Sequence, residues 1–325
     1  VNDVLDLSVV VPLYNEDESL PELEAWIRRV VEGMGLTYEI VMVDDGSTDN
    51  SWAVVKALAA ANPAVRGIKF RRNYGKSPAL HTGFQACRGR VVITMDADLQ
   101  DSPDEIPELY RMIREGGYDL VSGWKRRRHD PLGKTLPSRF FNAVTRYVSG
   151  IPLHDFNCGL KAYRQEVVKG IEVYGDMHRH IPLLAKWAGF RRITEKVVEH
   201  RARKYGVSKF GVSRLVTGFL DLLTLLFIGK FGKRPMHFFG GLGILIFLLG
   251  LGSSIYIGAT KLWRLAQGLP TILVTDNPYF YLALTCMVIG TLLFVTGFLA
   301  ELLIRNGADR NVYLIEERLG IAESH

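Results

Sequence analysis

Two uncharged, apolar stretches, Pro235 to Thr260 and Asn277 to Ala300, constrain this chain more than any other feature. Each exceeds the roughly 20 residues that a helix needs to cross the core of a bilayer. Both are read as transmembrane helices. Up to about Lys209, by contrast, charge is spread evenly, so the averages of 48% hydrophobic residues and a net charge of +6 describe neither part. Lys230, Lys233 and Arg234 precede the first span and Arg305 and Arg310 follow the second, against Lys261 and Arg264 between them. This modest bias places both termini in the cytoplasm and the spans in the inner (cytoplasmic) membrane. "VNDVLDLSVVVPLYNE" runs directly into a strand, with no cleavable signal. Cys87, Cys158 and Cys286 show neither a pairing pattern nor metal-ligand spacing, as in a reducing compartment.

Ahead of the spans lies "RLVTGFLDLLTLLFIGKF", Arg214 to Phe231, whose apolar core is broken by Asp221 and is too short to span. An interfacial helix is the expectation, with a core helix of the soluble domain as its alternative. In the first span Gly250, Ser254 and Gly258 recur on one face, a small-residue strip that favours a homo-oligomer. The division expected is a cytoplasmic catalytic domain over 1–210, juxtamembrane helices over 211–234, two spans over 235–305 and a cytoplasmic tail over 306–325.

Within the first 210 residues, strand and helix signals alternate. "LSVVVPLY", "YEIVMVDD", "VRGIKF", "RVVITMD" and "YDLVSGW" are apolar and β-branched. "SLPELEAWIRRVVEGM", "SWAVVKALAAAN" and "SPALHTGFQACR" carry helical patterns between them. Such alternation implies an α/β fold, a largely parallel sheet with helices on both faces. Residues 134–203 are less regular and predict a mixed edge.

The strand ends carry the chemistry. "ITMDADLQDSPDEI" places four acids within nine residues after an apolar strand, and Ser102-Pro103-Asp104-Glu105 reads as a helix start with Ser102 as cap. The acids therefore fall in a loop at the carboxyl edge of the sheet, where ligands bind in open α/β folds. While the backbone stays extended, Asp96 and Asp98 project to one side, an arrangement suited to a hard, oxygen-seeking cation. Two further strands end in "VPLYNE" and "VDDGSTD", converging on the same edge. Asp49 with Ser47 reads as a helix cap.

"VPLYNE", "VDDGSTD", "DADLQDSP", "HDFNCGLKAYR" and "RKYGVSK", in this order and before two spans, resemble the polyprenyl-phosphate glycosyltransferases of glycosyltransferase family 2. These are inverting enzymes of GT-A fold related to dolichyl-phosphate mannose synthase and bactoprenol glucosyl transferases. The resemblance implies a nucleotide-sugar donor, contacted by Pro12, Tyr14, Glu16, Asp45 and Ala97. It places Mg²⁺ or Mn²⁺ at Asp96, Asp98 and Gln100, and assigns Asp155 as the catalytic acid near sugar and acceptor. Lys125, Arg126 and Arg139 become ligands of the acceptor phosphate, and Arg203 and Lys209 belong to a segment that orders over the nucleotide.

Asp155 has two open roles. A lipid phosphate has a second pKa near 6, as phosphoserine does, so it is largely dianionic at pH 7 and barely needs a base. Asp155 either takes a proton or orients the substrate. The basic clusters "WKRRRHD" and "HRARKYGVSK" lack the aromatic interleaving of a nucleic-acid site, and a membrane leaflet with its lipid phosphate is the better partner. The expected reaction moves one hexose, glucose from UDP-glucose above others, to undecaprenyl phosphate for cell-envelope glycosylation. A processive or headgroup-modifying transferase and a non-enzymatic lipid-transporter subunit are the alternatives.

Overall fold

The computed structural model describes residues 4–126, 142–147, 149–175, 177–201, 204, 235–306 and 315–320. They fall into two compact units, Val1–Leu222 with Asn311–His325, and Leu223–Arg310. The segment from Arg214 to Phe231, Arg139, Arg203 and Lys209 lie outside the described residues.

The first unit is built on an eight-stranded sheet. Its strands are β1 (Leu5–Leu13), β2 (Tyr38–Asp44), β3 (Val65–Phe70), β4 (Gly89–Thr94), β5 (Leu120–Trp124), β6 (Lys161–Arg164), β7 (Ile193–Val197) and β8 (Ile315–Leu319). Their spatial order is β7-β5-β6-β4-β1-β2-β3-β8. The pairs β1–β2, β1–β4, β2–β3 and β5–β7 are parallel. β6 runs antiparallel to both β4 and β5, which is the mixed edge expected from residues 134–203.

Alternation along β1 shows why both faces must be covered. Leu7, Val9 and Val11 join the core beneath α1 (Leu20–Gly33), while Val10 faces α3 (Lys76–Ala86) on the other side. α1 presents Leu20, Leu23, Ile27 and Val31 at helical spacing, all fully buried. α2 (Ser51–Ala61) contributes Trp52 and Val55 to the same core, as does α4 (Ile106–Arg114) with Ile106, Leu109 and Ile113. Two short helices follow, α5 (Gln165–Gly170) and α6 (Ile181–Trp187). α4 is entered through a 3-10 turn, Pro103–Glu105, and Ser102 does not cap it. Its hydroxyl turns to Asp104 at 3.3 Å instead, so Pro103 alone keeps the role read from sequence.

One buried ion cluster holds the far end of the sheet. Glu39, fully buried in β2, accepts hydrogen bonds from the Ser8 hydroxyl at 2.6 Å and from the Arg88 amide at 2.6 Å, and pairs with Arg66. Burial works to raise its pKa, but Ser8 and Arg66 outweigh that and hold it below the usual carboxylate range. Arg66 Nε in turn donates to the Gly320 carbonyl at 2.7 Å. That contact fastens β8, the strand after the two long helices, antiparallel along β3. Sequence reading treated this stretch only as a tail.

The second unit is a hairpin of α7 (Pro235–Ala266) and α8 (Pro278–Asn306). Both helices are long and apolar enough to cross a membrane, and only 17% of either apolar window is buried. They touch through glycine. A methyl group on Gly243 would stand 2.6 Å from the Gly290 carbonyl oxygen, and one on Gly290 would stand 2.6 Å from the Gly243 oxygen. Gly250, the first member of the small-residue strip, is likewise filled by Ala283 and Met287 of α8. That glycine therefore serves packing within one chain.

Candidate active site

The carboxyl ends of β1, β2 and β4 lie side by side, and each hands its chain to a polar loop. Those after β1 and β2 are stitched together: Asn15 N–H donates to Ser47 Oγ at 2.9 Å, and Thr48 N–H donates to Asn15 Oδ1 at 2.9 Å. Asn15 has φ of 55° and Leu99 φ of 60°, the two non-glycine residues in the left-handed region among the described residues. Both sit in this edge, Asn15 between Tyr14 and Glu16 and Leu99 between Asp98 and Gln100. Such conformations persist where the surroundings dictate them. The Leu99 side chain is buried, and in the turn around it Asp98 Oδ1 receives the Gln100 N–H at 3.2 Å.

The two acids after β2 divide their tasks. Asp44 receives the Ser47 N–H at 2.8 Å and shapes the turn. Asp45 receives the N–H groups of Tyr74 and Gly75 at 2.7 and 2.8 Å, joining the β2 edge to the loop before α3. Burial raises the Asp45 pKa, and those two amides oppose it. Asp49 takes the Ser51 N–H at 3.0 Å, but the cap position of α2 is Asn50, so the cap read at Ser47 to Asp49 falls one residue short of it. Pro12 lies at the end of β1, Tyr14 is 36% exposed, and Ala97 is buried beside the acids.

Asp96 is the centre of the charge pattern. Lys76, the first residue of α3, pairs with Asp96 Oδ1. Burial would raise the Asp96 pKa, but Lys76, Lys125 and Lys161 outweigh it and bring it down to about 2. The opposite flank is backbone. A Cβ at Gly159 would stand 2.4 Å from Asp96 Oδ2, and the Gly159 carbonyl is pinned by the Thr94 hydroxyl at 2.8 Å. The turn carrying Asp155 therefore lies directly against the end of β4. Asp155 is 1% exposed and its Oδ1 receives the Asn157 N–H at 3.0 Å. Lys161, in β6, is buried beneath the same turn with its ammonium on the Cys158 carbonyl, and burial pulls its pKa down. Burial also pushes the Cys158 thiol up to about 12, so it offers no thiolate nucleophile.

Lys125 stands 2.7 Å from Asp101 Oδ1, so this residue, read as a phosphate ligand, already has a carboxylate partner. Burial disfavours its charge, but Asp101 prevails and its pKa is raised. Arg126 is exposed, with its guanidinium 5.9 Å from the Trp124 ring. His154 stacks on Trp124 at 4.2 Å and pairs with Glu195.

Three residues escaped the sequence reading: Lys76, Lys161 and His178. A glycine and a lysine where β3 hands over to α3, in "NYGKSP", were a usable signal for the first. Gly75 has φ of 100°, which glycine adopts freely, and it turns Lys76 toward Asp96.

A divalent cation fits this edge. Its donors are hard carboxylate and amide oxygens, and the Lys76 ammonium already stands on Asp96 as a cation would. Among the described residues no three His, Cys, Asp or Glu side chains form a closed cage. Hard oxygen donors of this kind suit a metal held by one or two carboxylates and completed by substrate phosphates.

The sheet order, the acids at its carboxyl edge and the cationic surround define a nucleotide-sugar transferase of GT-A type. Residues 8–171 match the profile of "Glycosyl transferase family 2", and the chain belongs to that family. It is therefore a glycosyltransferase, and relatives that it matches over two thirds of its length or more are named as polyprenyl-phosphate enzymes. It is 34% identical to the dodecaprenyl-phosphate galacturonate synthase of Rhizobium johnstonii, over 93% of this chain and 88% of that one. Identity reaches 41% with the undecaprenyl-phosphate 4-deoxy-4-formamido-L-arabinose transferase of Shewanella sediminis, over 67% of this chain and 66% of the other. Among solved structures, glucosyl-3-phosphoglycerate synthase from Mycobacterium tuberculosis, with Mn²⁺ and UDP-glucose, shares the fold. The TM-score is 0.54 at 22% identity, covering 69% of this chain and 79% of that one.

Proposed function

We propose that the protein transfers one sugar from a UDP-sugar to a polyprenyl phosphate at the cytoplasmic face of the inner membrane. The observation that carries this reading is the convergence on Asp96 of Lys76, the Gly159 turn and the Asp155 loop, in a chain that also bears an apolar hairpin. Similarity over 93% of the chain to an enzyme named for dodecaprenyl phosphate, and over 67% to one named for undecaprenyl phosphate, supports the acceptor. β8 supports the topology: the chain after α8 returns to the sheet that precedes α7, which puts both segments flanking the hairpin in one compartment.

In this reading the donor lies across the carboxyl edge with its base toward Asp45 and its diphosphate toward Asp96. Mg²⁺ or Mn²⁺, bound by Asp96, Asp98 and Gln100, would neutralise charge on the departing nucleoside diphosphate. Lys76 leaves Asp96 for the diphosphate when the donor enters. A phosphate oxygen of the lipid attacks the anomeric carbon, the bond from that carbon to the diphosphate oxygen breaks, and the configuration inverts. Asp155, buried one turn from Asp96, orients the sugar or takes the residual proton of a monoanionic phosphate. Arg126 and Arg139 draw in the lipid headgroup, with Lys125 released from Asp101 to join them. Arg203 and Lys209 close over the nucleotide.

The sugar is glucose in the reading made from sequence, and galacturonate is the alternative suggested by the name of the Rhizobium relative. Purified protein with undecaprenyl phosphate and Mg²⁺ or Mn²⁺ should yield a lipid carrying a single sugar from one of UDP-glucose, UDP-galacturonate or UDP-4-deoxy-4-formamido-L-arabinose. Lipid chains bearing several sugars, or no transfer from any of the three, would overturn the proposal.

A further inference from the structure

His178 lies in a 3-10 turn, Met177–Arg179, packed against the start of α3. Its backbone N–H donates to Ser77 Oγ at 3.0 Å, and the same oxygen is 3.1 Å from His178 Nδ1. A hydroxyl that accepts from the amide still has its own hydrogen to give, and Nδ1 is where it points. In that arrangement the ring proton is on Nε2. No partner meets Nε2 among the described residues, and that atom is not sealed from solvent. Ser77 directly follows Lys76, whose ammonium is on Asp96, and both Lys76 and Asp96 are among the charges that the imidazole feels. Burial, together with Lys76, Arg179 and Lys161, lowers the ring's pKa to about 2, so it is neutral wherever the enzyme is assayed. The cations beside it already suit phosphate. A neutral N–H of fixed tautomer suits an uncharged oxygen.

We propose that His178 is a specificity-determining residue, whose Nε2–H donates to one hydroxyl of the donor sugar while Ser77 holds the tautomer. This rests on the donor placement given above and adds to it the group that reads the sugar. The reading resembles other sites built to hydrogen-bond a substrate hydroxyl, which reject the analogue lacking it because a polar group is left unpaired.

The test pairs variants with donors. His178→Ala should lower kcat/KM for the preferred UDP-sugar by about 10- to 100-fold, the range for a lost hydrogen bond with an unsatisfied partner. Its Kd for UDP, which lacks the sugar, should stay within about threefold of wild type. His178→Gln, whose amide nitrogen reaches the place of Nε2, should recover most of the loss. Against donors deoxygenated singly around the ring, the wild type should show a penalty at one position that disappears in His178→Ala. Ser77→Ala, which frees the tautomer, should weaken the same penalty, and it carries the test should His178→Ala not fold. Calorimetric binding of the same donors gives the comparison without turnover. If no lipid acceptor is used, binding still decides this proposal separately from the reaction. Equal weakening of UDP and UDP-sugar in His178→Ala, or unchanged penalties at every deoxy position, would overturn it.

Discussion

Gly159→Ala is the sharpest probe of how the site is assembled. The added methyl would lie 2.4 Å from Asp96 Oδ2, 2.6 Å from Cγ and 2.7 Å from Oδ1, all well inside ordinary contact. Gly159 does not occupy the left-handed region, so alanine carries no backbone penalty there. The turn cannot easily retreat, because Thr94 holds its carbonyl and Lys161 is anchored beneath it on Cys158. The strain therefore falls on the Asp96 side chain, which must move by about 1 Å to reach normal separation. Metal-ligand distances tolerate about 0.2 Å, and a 1 Å misplacement in an active site costs about 100-fold in rate. Expected is a fall of about 100-fold in kcat/KM, with weaker Mn²⁺ binding by paramagnetic resonance titration and a thermal midpoint within a few degrees of wild type. Gly33→Ala is the control: a methyl there meets open space, and activity should be unchanged. Wild-type activity with wild-type metal demand in Gly159→Ala would refute the claim that this turn sets the position of Asp96.

Asp98→Asn should remove most turnover while leaving thermal unfolding unchanged, and full activity in excess chelator would dispose of the metal altogether. Asp155→Asn should cost about 10²- to 10⁴-fold if this acid removes a proton. A smaller loss with an unaltered kcat pH profile assigns it to orientation, and an unaltered rate eliminates both roles. Stability should fall in mild acid. Burial, with Arg179 and Lys161, lowers the His180 pKa to about 4, and His178 is lowered to about 2, against 6.5 unfolded. The unfolded chain then binds more protons below pH 6.5, so this contribution is complete above 6.5 and drains away as pH falls, down to about 4 for His180 and about 2 for His178. Two such groups give a slope of about 2 to 3 kcal/mol per pH unit near pH 5. Chemical denaturation of the detergent-solubilised enzyme at pH 7 and 5 measures it, and the His178→Gln, His180→Gln double variant should flatten the slope.

The fold was legible because its signals are local. Five strands of the sheet are runs of apolar, β-branched residues, and the helices between them keep an unbroken apolar stripe. The acids at the end of β4 were legible too. The extended backbone expected over Asp96 to Asp98, however, gives way to a turn at Ala97 and Asp98 with Leu99 left-handed, so the same-side projection argued from strand geometry does not apply. What stayed hidden depends on partners far along the chain. Lys76 meets Asp96 across 20 residues, and His178 meets Ser77 across 101. Nothing in "NCGLK" alone shows that its glycine abuts Asp96. Lys125 illustrates the converse: read within a basic run it is a phosphate ligand, and in space it first answers Asp101. β8 was missed because "IEERL" carries more charge than apolar surface, and its place is decided by the free edge of β3 and by Arg66.

That edge strand has a mechanical consequence. The catalytic sheet and the apolar hairpin are linked twice, by the covalent chain ahead of α7 and by the ladder of β8 on β3 behind α8. A single proteolytic cut between residues 205 and 234 would therefore leave the two fragments travelling together. Release of the sheet would require a second event, either stripping β8 from β3 or cutting between residues 307 and 314. The enzyme is moored fore and aft, and losing one line does not set it adrift.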